Sequence, residues 1–279
     1  MALDSVVGTC SGSESAFGFR IHIPKSSFRF CVMSGHSKWK TTKHYKAATD
    51  AKRGALFTKL IREITISAKQ GGGDPDGNPR LRTAIDNARS LSMPKENIER
   101  AVKKGTGDSD GVDYVDVLYE AYGPGGVAIM IQALTDNPTR TVAEIRAKLV
   151  RGGGNLGTSN SVSFMFDRKG QILVEAGALT EDAAMEKALE AGAEDFVRED
   201  DTFIISTAPA DLHAVKAALE KAGLKAAQAD LSWIPRTTVP VAGDAAGQLL
   251  RLIESIEDLD DVQKVDANFD MDESEMTDA

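Results

Sequence analysis

QILVEAGALTEDAAMEKALEAGAEDFVREDDTFIISTAPADLHAVKAALEKAGLKAAQADLSW, residues 171–233, decides the fold class. Gln171–Glu175 is a short apolar run that reads as a strand. Thr180 stands where an N-cap belongs, before a helix through Met185 and Leu189 that Gly192 closes. Asp195–Glu199 and Thr202–Thr207 read as a hairpin across Asp200-Asp201. Asp211–Ala222 is helical up to Gly223, and Lys225–Trp233 reads as a strand. The series β-α-β-β-α-β is the ferredoxin-like split unit.

Working outward, Val112–Glu120 and Val127–Leu134 read as strands around a Gly123-Pro124-Gly125-Gly126 turn. Thr141-x-x-Glu144 has the form of a capping box and starts a helix carrying Val142, Ile145 and Leu149 on one face. Gly152-Gly153-Gly154 stops that helix, and Ser161–Phe166 reads as a short strand. Beyond the split unit come a helix, Ala245–Ile256, and a strand, Asp261–Ala267. The flanking pieces combine into a second α/β sandwich interrupted by the first.

Residues 41–105 carry a helical period instead. With Lys59 at zero and about 100° per residue, Phe57, Leu60, Ile61, Ile64 and Ala68 share one face. Lys52, Arg62 and Lys69 fall on the opposite face, provided the helix runs through Gly54. Asn78-Pro79 supplies an N-cap and a first-turn proline for a second helix. Pro94 opens a third, closed by Gly105. The expected fold is therefore α+β: an N-terminal helical domain plus two α/β sandwich (ferredoxin-like) domains, one inserted in the other. The expected divisions are an extension at 1–32, a basic helical domain at 33–107, and a discontinuous α/β domain at 112–166 and 237–270. The inserted domain spans 167–236, and an acidic tail, 271–279, follows; the chain is expected to fray from Asp270 onward. Residues 1–32 lack a helical period, an Arg-rich transit pattern and a continuous apolar core. They suit an upstream extension before a start at Met33 better than a targeting segment.

Across 279 residues, 42% apolar and 27% charged side chains exclude a disordered chain. No run approaches the 18 or so apolar residues a membrane helix needs. Two cysteines, Cys10 and Cys31, cannot build a disulfide framework or a four-cysteine zinc site, and a reducing cytoplasm is the expected setting. The net charge of −9 conceals an asymmetry. Residues 33–105 hold 16 basic and 7 acidic side chains, whereas residues 106–279 hold 14 basic and 33 acidic. A basic block on an acidic body attracts phosphate locally whatever the average.

The densest part of that block is GHSKWK, 35–40, followed by Lys43, His44, Tyr45, Lys46, Lys52 and Arg53. Its cations suit phosphates, and its interleaved aromatics suit unpaired bases. The expected contact residues are Lys38, Trp39, Lys40, Lys43, His44, Lys46, Lys52 and Arg53, with Lys59, Arg62 and Lys69 on the helix. Charge alone does not separate DNA from RNA. The Gly123–Gly126 turn lacks a P-loop's Lys-Ser/Thr, and GGGNLG, 152–157, follows a helix where a dinucleotide fingerprint follows a strand. Both read as tight turns, with Gly123, Pro124, Gly125 and Gly126 a candidate loop for close backbone approach. His22, His36, His44 and His213 show no ligand spacing, so neither metal nor cofactor is expected. His213 and the tail carboxylates Asp258, Asp260 and Asp261 read as solvated surface. No base–nucleophile pair or metal-binding carboxylate cluster is recognisable, so neither an enzyme nor a small-molecule substrate is expected.

GHSKW (35–39), DAKRG (50–54), FTKLIREI (57–64), GGGDPDGNPRLR (71–82), YEAYGPGG (119–126), TVAEIR (141–146) and GGNLGTSNSVSFMF (153–166) together resemble the YebC/PmpR family from Met33 to about residue 270. The resemblance implies one helical and two α/β domains. It also implies a DNA-binding transcriptional regulator. Mitochondrial relatives are translational activators of cytochrome c oxidase subunit I, and some bacterial members are ribosome-associated factors relieving stalls at proline runs. A ribosome- or RNA-binding role is thus the alternative. No helix-turn-helix with an evident base-reading helix is legible in the sequence.

Overall fold

The computed structural model describes residues 50–107, 114–177, 179–199 and 201–271, with side chains from residue 54 onward, all within the unit Met33–Ala279. The first three helices among the described residues are α1 (Asp50–Gly71), α2 (Pro79–Ser90) and α3 (Lys95–Thr106). α1 does run through Gly54. Phe57, Leu60, Ile61, Ile64 and Ala68 pack as the period requires, against Leu81, Ile85, Ala88, Ile98 and Ala101. Asn78 joins two helices: its Oδ1 accepts the Leu81 N–H at 3.1 Å, and its Nδ2 donates to the Ser67 and Gly72 carbonyls at 2.7 and 2.9 Å. At Gly105, α3 comes so close to α1 that a Cβ would lie 2.2 Å from the Thr65 carbonyl oxygen.

Next come β1 (Val115–Tyr122), β2 (Ala128–Thr135), α4 (Pro138–Arg151) and β3 (Asn155–Leu156). They share a sheet with a strand from near the C-terminus, β9 (Val262–Ala267), in the order β3-β1-β2-β9, every pairing antiparallel. α4 and α7 (Asp244–Glu257) pack their Ile145, Leu149, Leu249 and Ile253 against Ile129, Ile131 and Val265 of this sheet. Between β3 and β9 in sequence lie β4 (Phe166–Glu175), α5 (Glu181–Glu190), β5 (Asp195–Glu199), β6 (Thr202–Thr207), α6 (Leu212–Lys221) and β7 (Ala226–Pro235). Their strands form a second antiparallel sheet, β5-β6-β4-β7, with a separate core around Ile172, Phe203, Val215 and Leu219. This is the strand order a ferredoxin-like unit requires. Two short strands, β8 (Val239–Pro240) and β10 (Phe269–Asp270), pair in parallel.

Three local expectations are corrected. The strand expected at Ser161–Phe166 is instead a 3-10 turn, Ser163–Met165, leading into β4, and the first sheet takes Asn155–Leu156. The cause is Glu120, whose carboxylate accepts the N–H groups of Asn160, Val162 and Ser163 at 2.7, 2.7 and 2.9 Å, groups that a strand would give to its ladder. Burial acts to raise the pKa of Glu120, but these backbone donors hold it below its ordinary value. The helix assigned to a Thr141 capping box starts at Pro138, with Asn137 Oδ1 accepting the Arg140 N–H at 3.1 Å; Thr141 lies buried inside it. Asp270, expected to be frayed, pairs with Pro240, and Met271 is buried against the first core; residues 272–279 lie outside the described residues.

Candidate nucleic-acid interface

Lys38, Trp39, Lys40, Lys43, His44 and Lys46 lie outside the described residues. Lys52 and Arg53 stand in the first turn of α1. The structure divides the other three cations of that helix. Lys69 is exposed in its last turn. Lys59 and Arg62 turn toward the body of the chain and are half-buried. Lys59 Nζ donates to the carbonyl of Glu257, the last residue of α7. Arg62 Nη1 donates to the Asp260 carbonyl at 2.7 Å and to Asp261 Oδ1 at 3.1 Å, with its guanidinium 5.4 Å from the centre of the Tyr114 ring. Carbonyls at a helix C-terminus carry partial negative charge and attract cations as phosphates do.

Asp261, read from sequence as a surface carboxylate, is only 4% exposed. Besides Arg62 it accepts from Arg140 at 2.9 Å, Thr141 Oγ1 at 2.7 Å and Thr135 Oγ1 at 3.1 Å. Burial pushes its pKa up, but the bonds from Arg140, Thr141 and Thr135 overcome this and hold the carboxyl below its ordinary value. A second anchor is Arg80 of α2, which binds Glu63 at 2.8 Å and Asp116 of β1 at 2.7 Å. His213 is likewise not a free surface histidine: its Nε2 lies 3.1 Å from both the Pro79 carbonyl and Thr83 Oγ1, and burial lowers its pKa.

The outward cations that sequence reasoning missed are Arg100, Lys103 and Lys104 of α3, all exposed and without an ion pair among the described residues. The signal was the helix period itself: Ile98, Ala101 and Gly105 face the core, which turns the basic positions outward. The Gly123–Gly126 segment is a tight hairpin turn, closed by Gly123 N–H to the Val127 carbonyl at 2.8 Å. Gly125 and Gly126 adopt φ of 74° and 78° and are exposed. Pro124 packs beside Gly153, so the two glycine-rich segments meet at one end of the first sheet.

A basic helical unit anchored to two antiparallel α/β sheets, the strands of one lying between those of the other, defines the class. The same fold occurs in the crystal structure of a conserved hypothetical protein of Aquifex aeolicus, 48% identical, with a TM-score of 0.75 over 80% of this chain and 93% of that one. Residues 37–108 match the model of the TACO1/YebC N-terminal domain, and residues 114–269 that of the TACO1/YebC second and third domain. The chain belongs to the TACO1/YebC family. A protein of Gemmatimonas aurantiaca, named a probable transcriptional regulatory protein, is 66% identical over 88% of this chain and 100% of its own length. Another so named, from Desulfotalea psychrophila, is 54% identical over 88% of this chain and 98% of its own. Among the described residues no helix is long and apolar enough to cross a membrane.

Proposed function

We propose that the chain is a non-enzymatic, cytoplasmic regulator of gene expression that works by binding nucleic acid. The observation carrying this reading is the charge split: 16 basic against 7 acidic side chains in residues 33–105, and the reverse excess in the remainder. Lys38, Lys40, Lys43, Lys46, Lys52 and Arg53 neutralise phosphates, and Trp39 and His44 stack on unpaired bases. The exposed cations of α3 extend that surface. The names of the relatives support action on DNA as a transcriptional regulator. A second reading, an RNA- or ribosome-bound translation factor, is favoured by the packing of α1. One face of α1 is buried in its own domain, and Lys59 and Arg62 of another are held at the end of α7, which withdraws part of its basic face from a major groove.

Sedimentation of a lysate with and without nuclease tests both. Co-migration with ribosomes that RNase abolishes selects the RNA role, and retention that only DNase releases selects the DNA role. A chain that stays at the top of every gradient contradicts both.

A further inference from the structure

Among the described residues, the acidic body has a concavity where cations gather without partners. It is a groove of about 510 Å³ between the C-terminal end of α4 and one face of α7. Lys148 and Arg151 line it from α4, and Arg251, Gln248 and Ser255 line it from α7. None of the three cations has an ion pair or a side-chain hydrogen bond among the described residues. One carboxylate, Asp244, stands at the other end of the α7 face. Lys148 and Arg151 sit in the last turn of α4, where they offset its dipole, but Arg251 lies mid-helix in α7 and has no such role.

Three positive charges converging on one cavity repel one another unless an anion joins them. No aromatic side chain lines the groove, so nothing in it stacks a base. One end of the groove meets the glycine turns. Gln248 and Pro124 flank Gly153, and neither Gly125 nor Gly126 carries a side chain to obstruct a passing backbone. The other end reaches Ser255, two residues before the Glu257 carbonyl that holds Lys59 of the basic helical unit. The groove and that unit therefore both adjoin α7, whose length is about 20 Å.

We propose that Lys148, Arg151 and Arg251 form a second, sequence-indifferent site for the phosphodiester backbone of a nucleic acid strand. The inference rests on the nucleic-acid reading above and adds a contact surface outside residues 33–105. The strand held by the basic unit continues along α7, its phosphates meeting the three cations and its backbone passing the glycine turn.

The test uses the full chain and a labelled 20-nucleotide uridine-rich RNA, with the matching single-stranded DNA as a second probe. Affinity is read by anisotropy across 50–200 mM salt. K148A/R151A/R251A is expected to lower the slope of log K against log salt by about two, at roughly 0.7 per phosphate lost on a single strand. Its melting temperature should stay close to wild type, because the three side chains hold no ion pair and two of them offset only the exposed end of the α4 dipole. Should that variant melt early, Arg251→Glu alone, at an exposed position, is expected to lower affinity at low salt. Equal losses on both probes assign the groove to phosphate alone, and a larger loss on RNA assigns it to RNA. Unchanged affinity and slope overturn the inference, and if Lys38→Ala with Lys40→Ala still weakens binding, the functional reading survives. A wild-type chain that binds neither probe overturns both.

Discussion

At Asp261 four side chains meet on one carboxylate: Arg62, Arg140, Thr135 and Thr141. Through them the residue ties α1 to α4 and to the end of β2. No local pattern distinguishes it from Asp258 or Asp260, because its donors lie about 120–200 positions away in sequence. Charge composition reads such a residue as surface; only the fold shows it buried. Its pKa is depressed by folding, so its contribution is complete above the ordinary carboxylate value near 4 and is lost as pH falls through the lower folded value. Asp261→Asn takes the negative charge from two guanidinium groups, Arg62 keeping the Asp260 carbonyl and Arg140 keeping Asp136, and is expected to cost about 1.5–3 kcal/mol in urea unfolding at pH 7. Below about pH 4 the variant should lose less further stability than wild type. Parallel pH curves for the two proteins would mean that the carboxylate is not the anchor.

Helices and strands were legible where local chemistry agreed with packing. Asn78-Pro79 announced α2, and the five-residue apolar stripe of α1 named its core face correctly. The same Asn-Pro signal stands at Asn137-Pro138, yet Thr141-x-x-Glu144 also fits a start. The two signals conflict locally, and Asp261 decides between them by burying Thr141. The third strand of the first sheet was misplaced because Glu120 captures three backbone donors, a long-range effect that no period encodes. Gly105 reads from sequence as a helix end, but α3 runs on to Thr106 and Gly105 is a contact point between helices. A methyl group there meets the Thr65 carbonyl and the Ala68 Cβ, at 2.2 and 2.8 Å. Gly105→Ala should therefore destabilise the chain by about 1–3 kcal/mol despite its better helix propensity. A melting temperature equal to or above wild type would show that α1 and α3 can move apart without cost.

For the whole molecule, the charge split has two consequences. Part of the basic surface of α1 is held by the acidic body through Lys59 and Arg62, which fixes the helical unit in place. What charge counting could not tell was which cations serve that internal contact and which face outward. The remaining acidic surface repels polyanions, so a bound strand is confined to the places where cations stand unpaired. The resemblance in sequence foretold the family and the mixed fold, and the family models and the solved relative agree.

The claim that the basic segment holds nucleic acid by its phosphates is tested most directly by the salt dependence of binding. Wild type and a Lys38→Ala, Lys40→Ala, Lys43→Ala, Lys46→Ala variant of the full chain are titrated with one single-stranded RNA from 50 to 200 mM salt. The account predicts linear plots of log K against log salt, with the variant's slope shallower by about three, roughly 0.7 for each lost phosphate contact. Equal slopes and equal affinities for the two proteins would contradict it.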